Sequence, residues 1–179
     1  MPLRFRSAAL SDVDAVVRLV ESAYRGPGSR EGWTTEADLL DGQRTDAEQV
    51  SALIVDAGSR IVLALEGREL VGSMLLATAS RSVYLGMLSV RPSHQAKGVG
   101  RALLAEAERI AQTERLGTRM KMTVIGQRTE LIAWYERRGY VRTGAREPFP
   151  YGDPRFGLPR RPDLYFEVLE KQLASRKSG

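Results

Sequence analysis

The sequence predicts a mixed α/β (α+β) fold, because the spacing of its apolar residues alternates between the period of a helix and that of a strand. Apolar residues recur at helical spacing in the first third of the chain, and the middle of the chain alternates as strands do. No repeat or linker interrupts the pattern. The 179 residues, 42% of them hydrophobic, suit one domain covering residues 1–179.

The residue pattern in the first third of the chain predicts one strand followed by three helices. The strand spans residues 3–8, and Ser11 caps the first helix. Thr35 is the expected cap of a second, short helix. A third helix begins near Asp46. This part of the chain therefore supplies helices that cover a sheet formed further along.

The rest of the chain predicts six strands and two helices. One helix follows a glycine-rich turn and ends near Gly117, and the other spans residues 129–138 and is closed by Gly139. Residues 148–162, rich in proline and glycine, are expected to form an extended loop. The strands are predicted at residues 61–66, 70–78, 84–90, 120–124, 140–143 and 164–168.

The segment from Val90 to Leu104 is the most informative part of the chain. It leaves an apolar strand, crosses a short polar turn that contains Gly98 and Gly100, and enters an amphipathic helix. Such a turn directs backbone N–H groups and a helix dipole at one point, which favours a bound phosphate. A dinucleotide fingerprint fits less well, because Leu103 stands where the third glycine would be. The alternative is an ordinary strand-to-helix turn.

Two segments resemble the GNAT N-acetyltransferase superfamily. The order Arg-Pro-x-x-Gln-x-x-Gly-x-Gly-x-x-Leu, which begins at Arg91, resembles its acyl-CoA pyrophosphate loop. Residues 132–140, Ile-Ala-Trp-Tyr-Glu-Arg-Arg-Gly-Tyr, resemble its aromatic-Tyr-Glu-x-x-Gly-aromatic helix end. The resemblance extends to the element order of nearly the whole chain. It implies a mixed, mostly antiparallel twisted sheet that is flanked by helices and splayed at the acyl-CoA strand.

The resemblance also implies a site for acetyl-CoA as cosubstrate. Tyr135 would be the general acid for the departing thiolate, and Leu88 N–H would donate to the thioester oxygen. Arg128 stands where many members have Asn, and it could reach a phosphate instead. The expected catalytic residues are thus Tyr135 and Leu88. The expected cofactor-binding residues are Leu88, Ser89, Val90, Gln95, Ala96, Lys97, Gly98, Val99, Gly100, Arg101 and Arg128.

The acceptor amine and the general base stay open at the level of sequence. Arg155, Arg160 and Arg161 in the proline-rich loop favour an amine that carries a carboxylate, such as an amino acid or its analogue. The alternative is that these arginines are solvated or pair with the acidic N-terminal helices. Three side chains are expected at the acceptor, although plain packing or solvation explains them equally well: Trp33, Glu36 and Tyr151.

Composition excludes several classes of function. The chain has no cysteine and one histidine, His94, so disulfides, thiolate metal sites and histidine metal clusters are excluded and no metal is expected. The longest apolar runs are too short to span a bilayer, and residues 1–4 do not begin an apolar signal region. We therefore expect a cytoplasmic protein without membrane contact.

The net charge of +5 is unevenly distributed. Residues 1–60 hold seven arginines against ten acidic residues, whereas residues 136–161 hold seven arginines against three. A basic region suits nucleic acid, an anionic cofactor or an acidic substrate. The chain lacks a recognisable helix-turn-helix or aromatic stacking motif, and the phosphates of coenzyme A account for part of the positive charge. Nucleic acid is therefore not an expected partner.

The leading hypothesis is an acetyl-CoA-dependent N-acetyltransferase. It would move an acetyl group to a primary amine of a small molecule or peptide by direct attack on the thioester. The first alternative is a module that binds acyl-CoA without turnover, and the second is a basic nucleic-acid-binding domain. The expected partners are acyl-CoA and a small amine, and a homodimer stays open.

Overall fold

The chain folds into a sheet with helices on both faces. The computed structural model describes residues 1–25 and 27–174. The helices are α1 (Val13–Tyr24), α2 (Ala47–Val55), α3 (Val99–Thr113) and α4 (Thr129–Glu136). The strands are β1 (Leu3–Ser7), β2 (Leu40–Asp41), β3 (Ser59–Glu66), β4 (Glu69–Ala79), β5 (Ser82–Val90), β6 (Arg119–Ile125), β7 (Val141–Pro148), β8 (Leu158–Pro159) and β9 (Tyr165–Gln172).

Seven of the strands form one sheet in the order β1-β3-β4-β5-β6-β9-β7, and β2 pairs separately with β8. Every neighbouring pair in the large sheet is antiparallel except β5 with β6. The arrangement confirms the predicted mixed α/β fold with a mostly antiparallel sheet. Within residues 1–25 and 27–174, no helix has the length and apolar character needed to cross a membrane.

Neighbouring residues of the central strands pack into two different cores. Val62 and Met74 pack with α3 and α4, whereas Leu63 and Leu75 pack with α1 and α2. Successive side chains of a strand point to opposite faces of the sheet. Because helices cover both faces, the central strands are apolar on both sides, which explains the continuous apolar runs in the sequence.

Strands β5 and β6 diverge along their length. They pair only over the first three residues of β5, whereas β5 stays paired with β4 as far as Val90. The β4–β5 register shifts between Ser73 and Leu75, and Met87, which lies opposite this shift, has a φ of 49°. A β-bulge of this kind bends a strand. A slot therefore opens between the second half of β5 and β6, as the predicted splay requires.

The start of α1 differs from the prediction. Ser11 is not its cap, because a 3₁₀ turn (Leu10–Asp12) precedes the helix. The carboxylate of Asp12 accepts a hydrogen bond from Ala9 N–H at 2.8 Å. Arg6 donates to both oxygens of the same carboxylate at 2.7 and 2.9 Å. The helix is therefore anchored to the end of β1 by a charged pair that the local cap pattern did not indicate.

The helix predicted after Thr35 is absent. The Thr35 hydroxyl accepts a hydrogen bond from Ala37 N–H at 3.0 Å, but one turn follows and the chain continues as β2. Leu40 in β2 lies opposite Pro159 in β8, inside the stretch predicted to be an extended loop. Pairing between distant segments thus overrides a local helix signal.

The other helices lie close to their predicted positions. Asp46 caps α2 by accepting a hydrogen bond from Gln49 N–H at 2.8 Å. Helix α3 ends at Thr113, before the predicted Gly117. Gly139, with a φ of 91°, follows α4 as predicted. Strand β7 is longer than expected, because it pairs with β9 on both sides of a register shift.

Candidate active site

A cavity of about 490 Å³ lies between the second half of β5, the glycine loop before α3, and α4. Most of the predicted cofactor-binding residues line this cavity: Leu88, Val90, Gln95, Ala96, Lys97, Gly98, Gly100, Arg101 and Arg128. The lining is completed by Ala23, Tyr24, Trp33, Thr34, Leu131, Trp134, Tyr135 and Arg138. We call it the first cavity.

The glycine loop presents its backbone to the first cavity. Ala96 and Gly98 have φ values of 62° and 87°, so left-handed residues alternate along the loop. Ala102 N–H donates to Gly98 O at 3.0 Å, and the N–H groups before it have no acceptor within the helix. A Cβ placed on Gly98 would meet no atom within 4 Å. The loop is therefore an open nest of donors of the kind that binds phosphate.

Besides Arg128, three cationic side chains border the same cavity, namely Lys97, Arg101 and Arg138. The Arg138 guanidinium lies 3.7 Å from the centre of the Trp134 ring. Burial, with the neighbouring Arg137 and Arg101 cations, lowers the pKa of Arg138 below its ordinary value. A bound anion would relieve this crowding of like charges. Sequence reasoning missed Arg138, although it is the last residue of the predicted helix that carries Tyr135.

Gln95 joins the glycine loop to the segment that carries Trp33. Its side-chain amide donates to Val90 O at 3.2 Å, and its side-chain oxygen accepts a hydrogen bond from Trp33 N–H at 3.0 Å. The Trp33 ring lies 6.4 Å from that of Trp134. Trp33, which was expected at the acceptor, therefore borders the predicted cofactor side of the site.

A second cavity of about 270 Å³ opens toward the slot between β5 and β6. Tyr24, Arg128, Leu131 and Tyr135 line both cavities. The residues that line only the second cavity are Arg25, Glu36, Leu40, Arg44, Tyr84, Gly86, Met87, Thr123, Val124, Ile125, Glu147, Phe149, Phe156 and Phe166.

Tyr135 stands where the two cavities meet. Its side chain is almost buried, with 5% of the residue exposed, and its ring packs edge-on against Trp134 and Tyr140. Burial raises the pKa of the Tyr135 hydroxyl far above its ordinary value. The hydroxyl makes no hydrogen bond to any residue in the described part of the chain. It is therefore a protonated donor, free to act on a ligand.

The model of the acetyltransferase (GNAT) family matches residues 14–140. The chain belongs to the GNAT acetyltransferase family. This membership confirms the resemblance inferred from the glycine loop and from the helix that carries Tyr135. No curated protein matches the sequence closely enough to be identified as a relative.

Solved structures of the same fold align with nearly the whole chain. An N-acetyltransferase from Staphylococcus aureus Mu50 aligns with a TM-score of 0.73 at 11% identity, over 97% of this chain and 99% of its own. The ribosomal-protein-S18-alanine N-acetyltransferase from Escherichia coli aligns at 0.71 and 12%, over 99% and 98%. The protein yncA from Salmonella typhimurium, solved with its cofactor acetyl-CoA, aligns at 0.70 and 18%, over 100% and 98%. At these identities the similarity establishes the GNAT fold.

In this GNAT chain a buried charged cluster lines the second cavity. Arg25 donates to one oxygen of Glu36 at 2.8 and 3.1 Å, and Arg128 donates to the other at 3.1 Å. Burial alone would raise the pKa of the Glu36 carboxyl, but the cations of Arg128, Arg44 and Arg25 outweigh it and lower that pKa. Glu36 is therefore an ionised, fully paired anion, a poor candidate for the general base.

Arg128 occupies the place of the asparagine of many GNAT members. Besides Glu36, it donates to the Thr34 hydroxyl at 2.7 Å, and its Nε atom is buried without a partner in the described residues. Only 8% of its side chain is exposed. These contacts fix Arg128 between the cavities and leave little of it available to reach a phosphate.

Tyr24 connects α1 to the bulged strand of the GNAT site. Its hydroxyl donates to Leu88 O at 2.9 Å, and the guanidinium groups of Arg44 and Arg128 lie 5.2 and 5.7 Å from the centre of its ring. Tyr24 was not among the site residues predicted from the sequence. Its functional position depends on how α1 packs against β5, for which the sequence carries no local signal.

Several predicted residues lie away from both cavities. The side chain of Ser89 is buried and donates to Met87 O at 2.9 Å, and Val99 packs in the core beneath α3. Tyr151 bonds to the loop at residues 161 and 164 instead of lining a cavity. Arg155, Arg160 and Arg161 likewise line neither cavity, because they contact Asp153, Ala37 O and Asp163, respectively.

The described residues contain no group of three or more His, Cys, Asp or Glu side chains placed to hold a metal ion. The chemical groups of the two cavities are instead backbone N–H donors, guanidinium groups and tyrosine hydroxyls. Such groups can bind a phosphorylated ligand, donate a proton and stabilise a developing negative charge.

Proposed function

We propose that the chain is an acetyl-CoA-dependent N-acetyltransferase that acetylates a primary amine of a small molecule by direct attack on the thioester. One observation carries the proposal. Tyr135, whose hydroxyl is protonated and free, lies at the junction of a cavity suited to a phosphorylated ligand and a second cavity that can admit an amine. Membership of the GNAT family, one of whose structural neighbours was solved with acetyl-CoA, supports the choice of cosubstrate.

The glycine loop and its cationic border are assigned to the pyrophosphate of the cosubstrate. The N–H groups at residues 96–101 would bind the phosphate oxygens, and Lys97, Arg101 and Arg138 would neutralise their charge. The edge of β5 beyond the point where β6 diverges would hold the pantetheine arm. In this arrangement the thioester reaches the bulge at Met87 and Leu88, beside Tyr135.

The transfer requires a new C–N bond and loss of the C–S bond. The amine nitrogen attacks the thioester carbon, and Leu88 N–H would stabilise the oxygen on which negative charge develops. Tyr135 would give its proton to the departing sulfur, and the proton lost by the amine would leave toward solvent through the second cavity. Tyr24 would keep the Leu88 peptide in position through its hydrogen bond to Leu88 O.

Thiol release over a panel of primary amines tests the proposal, with mass spectrometry to identify the product. We expect amine-dependent release of CoA together with a product heavier by one acetyl group. Tight binding of acetyl-CoA without release over any amine would instead support a non-catalytic acyl-CoA-binding module. Salt-sensitive binding of DNA that acetyl-CoA does not displace would support the nucleic-acid alternative.

A further inference from the structure

The second cavity has an excess of positive charge. Its lining includes the guanidinium groups of Arg25, Arg44 and Arg128 and the carboxylates of Glu36 and Glu147. The Glu36 carboxylate accepts hydrogen bonds from Arg25 and Arg128 and also feels the charge of Arg44. Glu147 lies 3.8 Å from Lys121. The lining therefore offers no unpaired carboxylate to a second positive charge on an acceptor.

Arg44 is the arginine of this cavity whose guanidinium has no hydrogen-bonded partner in the described residues. Its side chain makes no hydrogen bond or ion pair with any residue among 1–25 and 27–174, and it is only partly buried. The guanidinium rests over the Tyr24 ring at 5.2 Å. Contact with an aromatic face leaves the edge of a guanidinium free to donate hydrogen bonds to a planar anion.

The backbone at Arg44 is fixed by contacts from α1. One oxygen of the Glu21 carboxylate accepts hydrogen bonds from the N–H groups of Arg44 and Thr45 at 2.6 and 2.8 Å. Gln43 O accepts another from the buried Arg25 at 3.1 Å. The segment that carries Arg44 is therefore held against the cavity, which reduces the entropy lost when the side chain binds an anion.

The remainder of the second cavity is largely apolar. Leu40, Phe149 and Phe166 form one packed cluster beside it, and Phe156 also lines it while remaining partly exposed. An acceptor with an apolar side chain can bury that side chain here. The bulge at Met87, where the thioester is expected, lies on the same cavity.

We propose that Arg44 binds the carboxylate of the acceptor, so that the preferred substrates are amines that carry both a carboxylate and an apolar side chain, as amino acids do. The inference rests on the proposed function. It keeps the substrate class favoured at the sequence level but moves the binding residue from the proline-rich loop to Arg44. The carboxylate would take two parallel hydrogen bonds from the guanidinium, and the amine would face the bulge.

Matched pairs of amines test the proposal. Leucine is compared with 3-methylbutylamine, and phenylalanine with 2-phenylethylamine, so that each pair differs by the carboxylate alone. Wild type, Arg44→Met and the control Arg155→Met are assayed for thiol release. Binding of the same amines to the CoA-loaded protein is measured by calorimetry. Arg155 is an exposed arginine outside both cavities, paired with Asp153.

We expect wild type to prefer the carboxylated member of each pair by at least about tenfold in kcat/KM. Arg44→Met should abolish this preference by raising KM, while kcat for the uncarboxylated amines and the affinity for acetyl-CoA stay unchanged. Arg155→Met should behave as wild type. Equal use of both members by wild type, or a preference that survives in Arg44→Met, overturns the inference and leaves the proposed function intact.

When no amine is turned over, calorimetry still tests the carboxylate site at Arg44 separately from the proposed acetyltransferase function. If leucine binds wild type but not Arg44→Met, the carboxylate site stands and the proposed function fails. If leucine and phenylalanine neither bind nor react, both claims fail.

Discussion

At the scale of single residues, Tyr135 opens onto both cavities with a hydroxyl that burial keeps protonated. Replacement by phenylalanine keeps the ring packing and removes the proton. Because a positioned general acid contributes about 10² to 10⁴ in rate, Tyr135→Phe should lower kcat by that order and leave the affinity for acetyl-CoA largely unchanged. Steady-state thiol release and calorimetry measure the two quantities.

The control for this substitution is Tyr140→Phe. Tyr140 packs against Tyr135, but its hydroxyl donates to Glu108 at 3.2 Å, away from both cavities. Its loss should affect stability without changing kcat. If Tyr135→Phe lowers kcat by less than about threefold, Tyr135 is a packing residue or a step other than chemistry limits the rate.

A substitution at Gly100 tests whether the glycine loop binds CoA. A Cβ at this position would lie 3.4 Å from the Trp134 ring and 3.7 Å from Val90, so the larger side chain of valine must extend toward the cavity. Gly100→Val should weaken CoA binding by at least about tenfold, or about 1.4 kcal/mol. Gly58→Val is the control, because Gly58 is exposed and a Cβ there has ordinary contacts. Unchanged affinity in a folded Gly100→Val protein would contradict the loop assignment.

The residues that sequence reasoning found and those that it missed differ in the range of their contacts. The glycine loop is a local pattern, so its residues could be named from the sequence. Arg44 is placed by Glu21, which is 23 residues away, and Tyr24 acts through Leu88, which is 64 residues away. Contacts of that range depend on the packing of α1 against the sheet and leave no local signal.

At the scale of elements, the junction of β1 and α1 should respond to acid. The hydrogen bonds from Arg6 are the largest cause of a lowered pKa at Asp12. Since the folded-state pKa lies below the unfolded value of about 3.9, this stabilisation is complete above that value and is lost as the pH falls through the folded-state pKa. Asp12→Asn should therefore lower the free energy of unfolding at pH 7 by about 0.5–1 kcal/mol, with the difference shrinking once the pH falls below the unfolded-state pKa of about 3.9.

Urea unfolding at a series of pH values measures this effect. Asp14→Asn serves as the control, because Asp14 lies on the first turn of α1 and its carboxylate makes no hydrogen bond to any described residue. An Asp12→Asn cost that does not shrink anywhere in the acid part of the series would show that the Arg6 pair does not stabilise the junction.

Two helix ends were predicted accurately because a single segment determines each of them. Helix α2 has its cap at Asp46, and Gly139 follows α4, as their local patterns indicate. The pairing of β2 with β8 was missed, because each strand has two residues and its partner lies more than 110 residues away. The expected helix after Thr35 does not form, because one hydrogen-bonded turn stabilises the segment less than the pairing with β8 and the burial of Leu40.

At the scale of the whole molecule, one divergent strand pair organises the site. Because β6 leaves β5 after three paired residues, the sheet opens between α1 and α4, and the two cavities approach each other at Tyr135. The splayed sheet was predicted from the order of elements and from the resemblance to the GNAT family. The charge of the second cavity could not be predicted, because it depends on which arginines pair with Glu36 in the folded chain.

The position of bound coenzyme A tests the central claim most directly. A crystal structure of the protein with CoA should place the pyrophosphate oxygens about 3 Å from N–H groups of residues 96–101, and the sulfur within about 3.5 Å of the Tyr135 hydroxyl. A pyrophosphate bound away from the glycine loop, or a sulfur that does not reach the junction of the two cavities, would contradict the account.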